Sequence, residues 1–194
     1  MKNITKFKVP VEISARHIHL SGGDFIKLFG KNKSLKAAFP LSQKGQFAST
    51  YYVKVLSKDG IKSLNLRILG PIRKESQIEL SLSDAYNLGY AVPLRISGDL
   101  KSVPKLKVRT GLGEVSIPAI VPLRHLHVPK DIAKKYKLTN REEVICKISS
   151  DRQAVLEKIV VRIDEMSTLA LHLDTDEGNA CGIQKIGKGE ILKQ

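Results

Sequence analysis

The sequence of 194 residues contains little cysteine, few aromatic residues and no long apolar run. Its two cysteines, Cys146 and Cys181, lie far apart and form no CxxC motif, which predicts buried free thiols rather than disulfides or a thiolate zinc knuckle. Tryptophan is absent, and the five Tyr and five Phe do not form the interleaved pattern that stacks on single-stranded nucleic acid. No apolar segment approaches the roughly 20 residues of a membrane-spanning helix, so we do not expect a membrane protein.

Acidic residues are scarce relative to basic ones. The chain has 19 Asp and Glu against 33 Lys and Arg, giving a net charge of +14. Such a charge suits either nucleic acid or small anionic ligands. The basic residues are spread along the chain rather than gathered in one tail or helix face, which is typical of solvated surface and argues against nucleic-acid binding as the main function. The N-terminal MKNITKFK runs into VPVEIS without the apolar core of a secretory signal, which predicts a cytoplasmic location.

Alternation of apolar and polar residues dominates the pattern and predicts many short strands, typical of barrels or sandwiches. Helices are predicted to be few and short, with capping-type starts at Ser21 and Ser81 and a third start after Val128. The fold class is therefore predicted to be mainly β with short helices. The clearest alternating runs are Val9, Val11 and Ile13; Leu64, Leu66 and Ile68; Ile78, Leu80 and Leu82; and Leu169, Leu171 and Leu173.

An internal repeat links two distant segments. VPVEISARHIHLSGGDF near the N-terminus and VSIPAIVPLRHLHVPKDI in the second half both run from a predicted strand through Arg-His-x-His to a helix start. A repeated unit of this kind predicts two pseudo-equivalent halves.

All five histidines are accounted for by this repeat and one further strand. Residues two apart share a face only when the backbone is extended, so each His-x-His pair converges only on a strand. Both pairs share the parity of the apolar residues before them, which predicts inward-facing imidazoles if the strands stay regular. Buried unpaired nitrogens cost about 1–3 kcal/mol, and zinc satisfies imidazole nitrogens well. The pairs are His17 with His19 and His125 with His127.

Each pair needs a third ligand if a zinc ion is to keep an open position. His172 lies on the polar face of its predicted strand and is one candidate. Carboxylates are the other natural candidates, and the polar strand face described next carries two of them. A strand face that simply contacts solvent would show the same polar residues. A predicted strand in IRKESQIELSLSD places on one face Arg73, Glu75, Gln77, Glu79 and Ser81.

Six stretches together resemble the signature blocks of a known family, in order and with similar spacing from about residue 9 to 183. The family is that of the zinc-dependent phosphate propanoyltransferases of propanediol utilisation. The stretches are VPVEISARHIHLSGGDFIKLFG, PLSQKGQFAS, RILGPIRKESQIELSLSDAYNLG, PLRISGDL, RHLHVPKDIAKKYKL and LALHLDTDEGNACG.

The resemblance implies two small β-barrel domains, with the first strand crossing over to the barrel built by the C-terminal part. Residues 1–16 and 124–194 would form one domain, and residues 17–123 the other, with a lid segment near 40–50. It also implies a dinuclear zinc site between the barrels. One zinc would be held by His17, His19 and Glu79, and the other by His125, His127 and His172.

Other residues take roles from the same resemblance. Arg73, in GPIRKESQ, would bind phosphate as the catalytic residue. The resemblance assigns no role to Arg16 and Arg124, which precede the histidine pairs; they are candidates for contacting phosphate or the coenzyme, or for capping the strand ends. The usual Gln-Pro-Gly of the lid is replaced by Gln43, Lys44 and Gly45, so the rigid turn that proline supplies is missing.

The implied reaction is reversible transfer of a short acyl group, acetyl or propanoyl, between coenzyme A and inorganic phosphate. It needs no Ser or Cys nucleophile, and the charge of +14 suits two anionic substrates. Two alternatives are a binuclear zinc hydrolase, whose usual TIM barrel of about 250 residues exceeds this chain, and a basic nucleic-acid-binding protein with structural zinc. A homodimer is expected. Because only eight residues precede Val9, a free cytosolic enzyme is expected rather than a microcompartment protein.

Overall fold

The computed structural model describes residues 5–193, and the chain divides into two compact units. Unit 1 combines Met1–Ala15 with Leu123–Gln194, and unit 2 is Arg16–Pro122. The protein is mostly β, with two closed six-stranded barrels and short helices, which confirms the predicted fold class. Residues 1–4, part of the N-terminal segment behind the microcompartment prediction, lie outside the described residues. None of the helices within 5–193 is long and apolar enough to cross a membrane.

The described part of the chain contains fourteen strands and four helices. In order they are β1 Thr5–Ser14, β2 His17–His19, α1 Gly22–Phe29, β3 Ala37–Pro40, β4 Phe47–Leu56, β5 Ser63–Gly70, β6 Gln77–Glu79, α2 Leu82–Asn87, β7 Leu94–Arg95, β8 Lys105–Arg109, β9 Glu114–Pro122, β10 His125–Val128, α3 Lys130–Lys135, β11 Glu143–Ser149, β12 Ala154–Ile163, β13 Ala170–Asp174, α4 Thr175–Ala180 and β14 Ile186–Lys193.

The barrel of unit 1 has the strand order β1-β13-β10-β12-β11-β14 and closes because β14 also pairs with β1. The first strand therefore joins strands from the C-terminal part of the chain. Val11, Leu126 and Leu171 belong to its buried core. Cys146 and Cys181 are buried free thiols, as predicted, and burial raises the pKa of Cys146 to about 12.

The barrel of unit 2 runs β4-β5-β2-β6-β9 and closes through β8, which pairs with both β4 and β9. Strands β3 and β7 extend the sheet beside β4 and β9. Ile18, Ile68, Ile78 and Ile117 are fully buried in its core. Ile18, the central residue of the three-residue strand β2, is the residue of that strand that packs in this core.

The predicted helix starts are confirmed. The side chains of Ser21 and Ser81 cap α1 and α2 by accepting hydrogen bonds from the backbone N–H groups three residues later. The third predicted start leads into α3. Helix α4 was not predicted, although Asp174 and Glu177 form a capping box at its start, a pattern readable in the sequence.

The predicted polar strand over residues 73–81 is shorter in the structure. Only Gln77–Glu79 pair as strand β6, and Leu82 begins helix α2 with 53% of its surface exposed. The alternation of Ile78, Leu80 and Leu82 therefore predicted a strand residue at Leu82 wrongly, because the Ser81 cap starts a helix at that position.

The predicted lid residues lie in a tight turn between β3 and β4. The Gln46 N–H donates to the Gln43 carbonyl at 3.1 Å, and Gly45 has φ +76°. A positive φ at the third turn position is typical of a type II turn, which favours proline at the second position. Glycine thus closes this turn without the family's proline.

We expect Lys44→Pro to raise the free energy of unfolding by about 0.4–1 kcal/mol, because proline restricts the unfolded chain at a position compatible with it. Urea denaturation of both proteins measures the difference. Lys33→Pro is the contrasting variant and should lower the stability, because it deletes the hydrogen bond from the Lys33 N–H to the Gly30 carbonyl. A lower stability for Lys44→Pro would show that the turn does not accept the proline geometry.

Candidate metal centres

The two histidine pairs occupy short strands that follow a break in the chain. Strand β1 ends at Ser14 before β2 begins at His17, and β9 ends at Pro122 before β10 begins at His125. Ile18 and Leu126, the residues between the histidines, enter the two barrel cores. Since alternate strand residues face opposite sides, the imidazoles lie on the face opposite each core. The predicted continuation of the apolar inward face required a regular strand, and that condition is not met, because each strand is interrupted before its histidine pair.

In unit 2, His17, His19 and Glu79 come together as a cluster of buried side chains, which we call the Glu79 triad. Antiparallel pairing of β2 with β6 places Glu79 directly across from His17. His17 Nε2 is 3.5 Å from Glu79 Oε2. One donor atom from each of the three residues lies within 4.8 Å of the others.

Hydrogen bonds orient the Glu79 triad. His19 Nδ1 is 3.2 Å from the Leu69 carbonyl oxygen, so a tautomer that donates from Nδ1 leaves Nε2 free to bind an ion. Glu79 Oε1 accepts hydrogen bonds from Gln77 Nε2 at 2.5 Å and from Ser97 Oγ at 2.8 Å. The other carboxylate oxygen, Oε2, is the one that faces His17.

In unit 1, His125, His127 and His172 form the second cluster, which we call the His172 triad. His172 on β13 is the register partner of His125 on β10. The Nε2 atoms of His125 and His127 are 3.1 Å apart, and His125 Nδ1 is 2.8 Å from the Leu123 carbonyl oxygen. As predicted, His172 lies opposite Leu171 and Leu173, which enter the core.

Each triad offers the three donors that a tetrahedral zinc ion with a fourth position open requires. Bonds of about 2.0–2.1 Å in tetrahedral geometry place two donor atoms about 3.3 Å apart, close to the 3.5 Å between His17 and Glu79 and the 3.1 Å between His125 and His127. The remaining donor atoms of each triad lie within 4.8 Å of the others. Burial, with the charges of His17 and Arg73, lowers the pKa of His19 to about 3. Burial, with His125, His172 and Arg162, lowers the pKa of His127 to about 2. Both imidazoles are therefore neutral near pH 7, the form that binds metal.

Sequence reasoning missed Glu12 as a partner of the His172 triad. Glu12 Oε2 is 3.1 Å from His172 Nε2, because parallel pairing of β1 with β13 places the two residues side by side. Its only sequence signal is a polar residue between Val11 and Ile13, which does not reveal this partner.

Arg73 lies beside the Glu79 triad. Its backbone N–H donates to the Leu20 carbonyl at 2.9 Å, and its charge contributes to the lowered pKa of His19. It lines a cavity of about 750 Å³ together with Gln77, which also donates to Glu79. Gln77 therefore connects the Glu79 triad to the cavity that Arg73 lines, all within unit 2.

Several other predicted residues are engaged elsewhere. Arg16 pairs with Asp84 at 2.6 Å, and Arg124 pairs with Glu177 at 2.7 Å. Gln43, Lys44 and Gly45 occupy the turn described above.

The chain is similar over most of its length to proteins of one known family. A family model described as phosphate propanoyltransferase matches residues 10–184. The chain is 38% identical over 190 residues to the phosphate propanoyltransferase of Clostridioides difficile (strain 630), covering 96% of this chain and 90% of that protein. It is 40% identical over 189 residues to the phosphate propanoyltransferase of Alkaliphilus metalliredigens (strain QYMF), covering 96% and 88%. These matches confirm the resemblance found in the sequence, and the chain belongs to the phosphate propanoyltransferase family of acyltransferases.

Proposed function

We propose that this protein is a phosphate acyltransferase that moves a short acyl group, acetyl or propanoyl, reversibly between coenzyme A and inorganic phosphate. The observation that carries the proposal is the presence of two three-donor clusters in one chain, one of them beside Arg73 and a cavity. Family membership supports the same activity. The net charge of +14 suits two anionic substrates.

We propose two zinc ions per chain, one held by the Glu79 triad and one by the His172 triad. The support is the donor chemistry, since neutral imidazoles and a single carboxylate oxygen are ligands that zinc accepts. When bound, zinc stabilises a leaving thiolate and the negative charge that develops on a carbonyl oxygen.

Arg73 is proposed to bind and aim the phosphate. The cavity of about 750 Å³ that it lines falls within the size range of small-molecule sites, and Lys74 adds a second positive charge there. A phosphate oxygen attacks the thioester carbonyl carbon, the C–S bond breaks, and coenzyme A leaves as its thiolate while acyl phosphate forms. Arg73 neutralises the phosphate, so that the two anionic substrates can approach each other.

A thiol-release assay tests the activity. Zinc-loaded protein mixed with acetyl-CoA or propanoyl-CoA is expected to release free coenzyme A only when phosphate is present, with acyl phosphate formed in equal amount. Release without phosphate would instead identify a zinc hydrolase. Absence of release with both substrates, together with salt-dependent DNA or RNA binding, would favour the nucleic-acid alternative. The homodimer and the cytosolic location outside microcompartments stay predictions.

A further inference from the structure

Arg16 and Arg124, which directly precede the histidine pairs, are each paired with an acidic side chain in the first turn of a helix. Arg16 Nη1 is 2.6 Å from Asp84 Oδ1, and Asp84 is only 7% exposed. Arg124 Nε is 2.7 Å from Glu177 Oε1. Each pair lies within one unit, and each links the segment carrying a histidine pair to the segment carrying the third donor of the same triad.

The acidic partners occupy the same place relative to the third donors. In both units the third donor is followed two residues later by a helix N-cap and five residues later by the acidic residue. The N-cap side chain accepts a hydrogen bond from the backbone N–H of that acidic residue in both helices. The sets are Glu79, Ser81 and Asp84 in unit 2, and His172, Asp174 and Glu177 in unit 1. The internal repeat therefore extends beyond the Arg-His-x-His segments to the third-donor segments.

The strand pairings that bring the donors together are short. Strand β2 pairs with β6 over three residue positions, and β10 pairs with β13 over three. Few hydrogen bonds hold such a ladder, and a slip of one residue would turn a donor to the opposite face. Each arginine stands immediately before its short strand, and each acidic partner stands in the helix that follows the other strand. The ion pairs are thus placed where they oppose a slip.

We propose that the Arg16–Asp84 and Arg124–Glu177 pairs are positioning clamps, each of which holds the first and third metal donors of its own triad in register. The inference rests on the proposed function, because it requires zinc to bind both triads. The clamp residues are positioning residues that act through the histidines and Glu79.

Competition between the full-length zinc-loaded protein and a chromophoric zinc chelator tests the clamps. Wild type is expected to release two zinc ions. We expect Arg16→Gln to weaken the binding of one ion by about 10–100-fold, the range typical of residues that orient metal ligands, and to leave the other unchanged. Arg124→Gln should do the same for the other ion. Arg16→Lys and Arg124→Lys, which keep the charge, should recover part of the loss.

A second substitution assigns each effect to a triad. In the Glu79→Ala background only the His172 triad retains its donors, so Arg124→Gln should weaken the remaining zinc and Arg16→Gln should not. Arg109→Gln is the matched control, because it breaks the exposed Arg109–Glu114 ion pair of unit 2, which has a similar length of 2.6 Å. If Arg16→Gln does not fold, Asp84→Asn tests the Arg16–Asp84 clamp instead, because it removes the charge of the acidic partner.

The outcomes separate the two proposals. A wild-type protein that binds no zinc contradicts the proposed function. A wild-type protein with two zinc ions, whose affinities do not change in the clamp variants, contradicts the clamps alone. A lower melting temperature of the metal-free variants with unchanged zinc affinity would likewise show that the ion pairs only stabilise the fold.

Discussion

Glu79→Ala is expected to remove one of two zinc ions per chain and to lower kcat/KM by about 10²–10³-fold. The substitution deletes the carboxylate oxygen that faces His17 at 3.5 Å, which leaves two donors where zinc needs at least three. The loss of charge stabilisation at the reacting atoms corresponds to several kcal/mol of barrier. His172→Ala should remove the other ion and leave the Glu79 triad loaded. Elemental analysis after dialysis, with the thiol-release assay on the same sample, measures both quantities.

Glu114→Ala is the matched control for this prediction, because it removes an acidic side chain from unit 2 that pairs with the exposed Arg109 rather than with a triad. It should keep two zinc ions and the wild-type rate. If Glu79→Ala and His172→Ala both kept two zinc ions and full activity, the assignment of these residues as metal ligands would be wrong.

Arg73→Met is expected to raise the KM for phosphate and to lower kcat/KM for phosphate by about 10²–10³-fold, with zinc content unchanged. A guanidinium forms charge-assisted hydrogen bonds to phosphate, and methionine keeps much of the bulk while losing every donor. The size of the effect follows from removing one donor that stabilises developing charge, about 2.7–4 kcal/mol. Initial rates over a range of phosphate concentrations at saturating acyl-CoA separate KM from kcat.

Two further variants sharpen the result. Arg73→Lys should restore part of the activity, since an ammonium group keeps the charge and loses the planar fork. Arg109→Met removes an exposed arginine of the same unit and should have wild-type kinetics. Wild-type phosphate kinetics for Arg73→Met would show that phosphate binds elsewhere.

Much of the fold was readable from local patterns. The alternation around Val9 and around Leu66 predicted strands because a strand buries every second residue, and Ser21 and Ser81 predicted helix starts because their hydroxyls cap free N–H groups. The strand predicted through Leu82 was too long, since the helix cap at Ser81 competes with the apolar alternation and prevails.

The orientation of the histidines shows where local reasoning fails. Counting parity back from His17 assumes one regular strand, and the chain instead breaks between Ser14 and His17 as it leaves unit 1 for unit 2. A break of two residues has no strong signature in composition, so the face of a strand cannot be read across it. Ile18, rather than the imidazoles, therefore supplies the core contact.

The sequence by itself determined the chemistry available to this protein: five histidines in two His-x-His pairs and one polar strand position, a nearby carboxylate and arginine, and no thiolate motif. Those properties depend on residue type and on spacing along one strand. Only the tertiary structure decided that Glu79 lies 3.5 Å from His17, that Glu12 lies beside His172, and that Arg16 and Arg124 are paired with helix carboxylates. These contacts join segments far apart in the chain, and they exist because each barrel closes in one register.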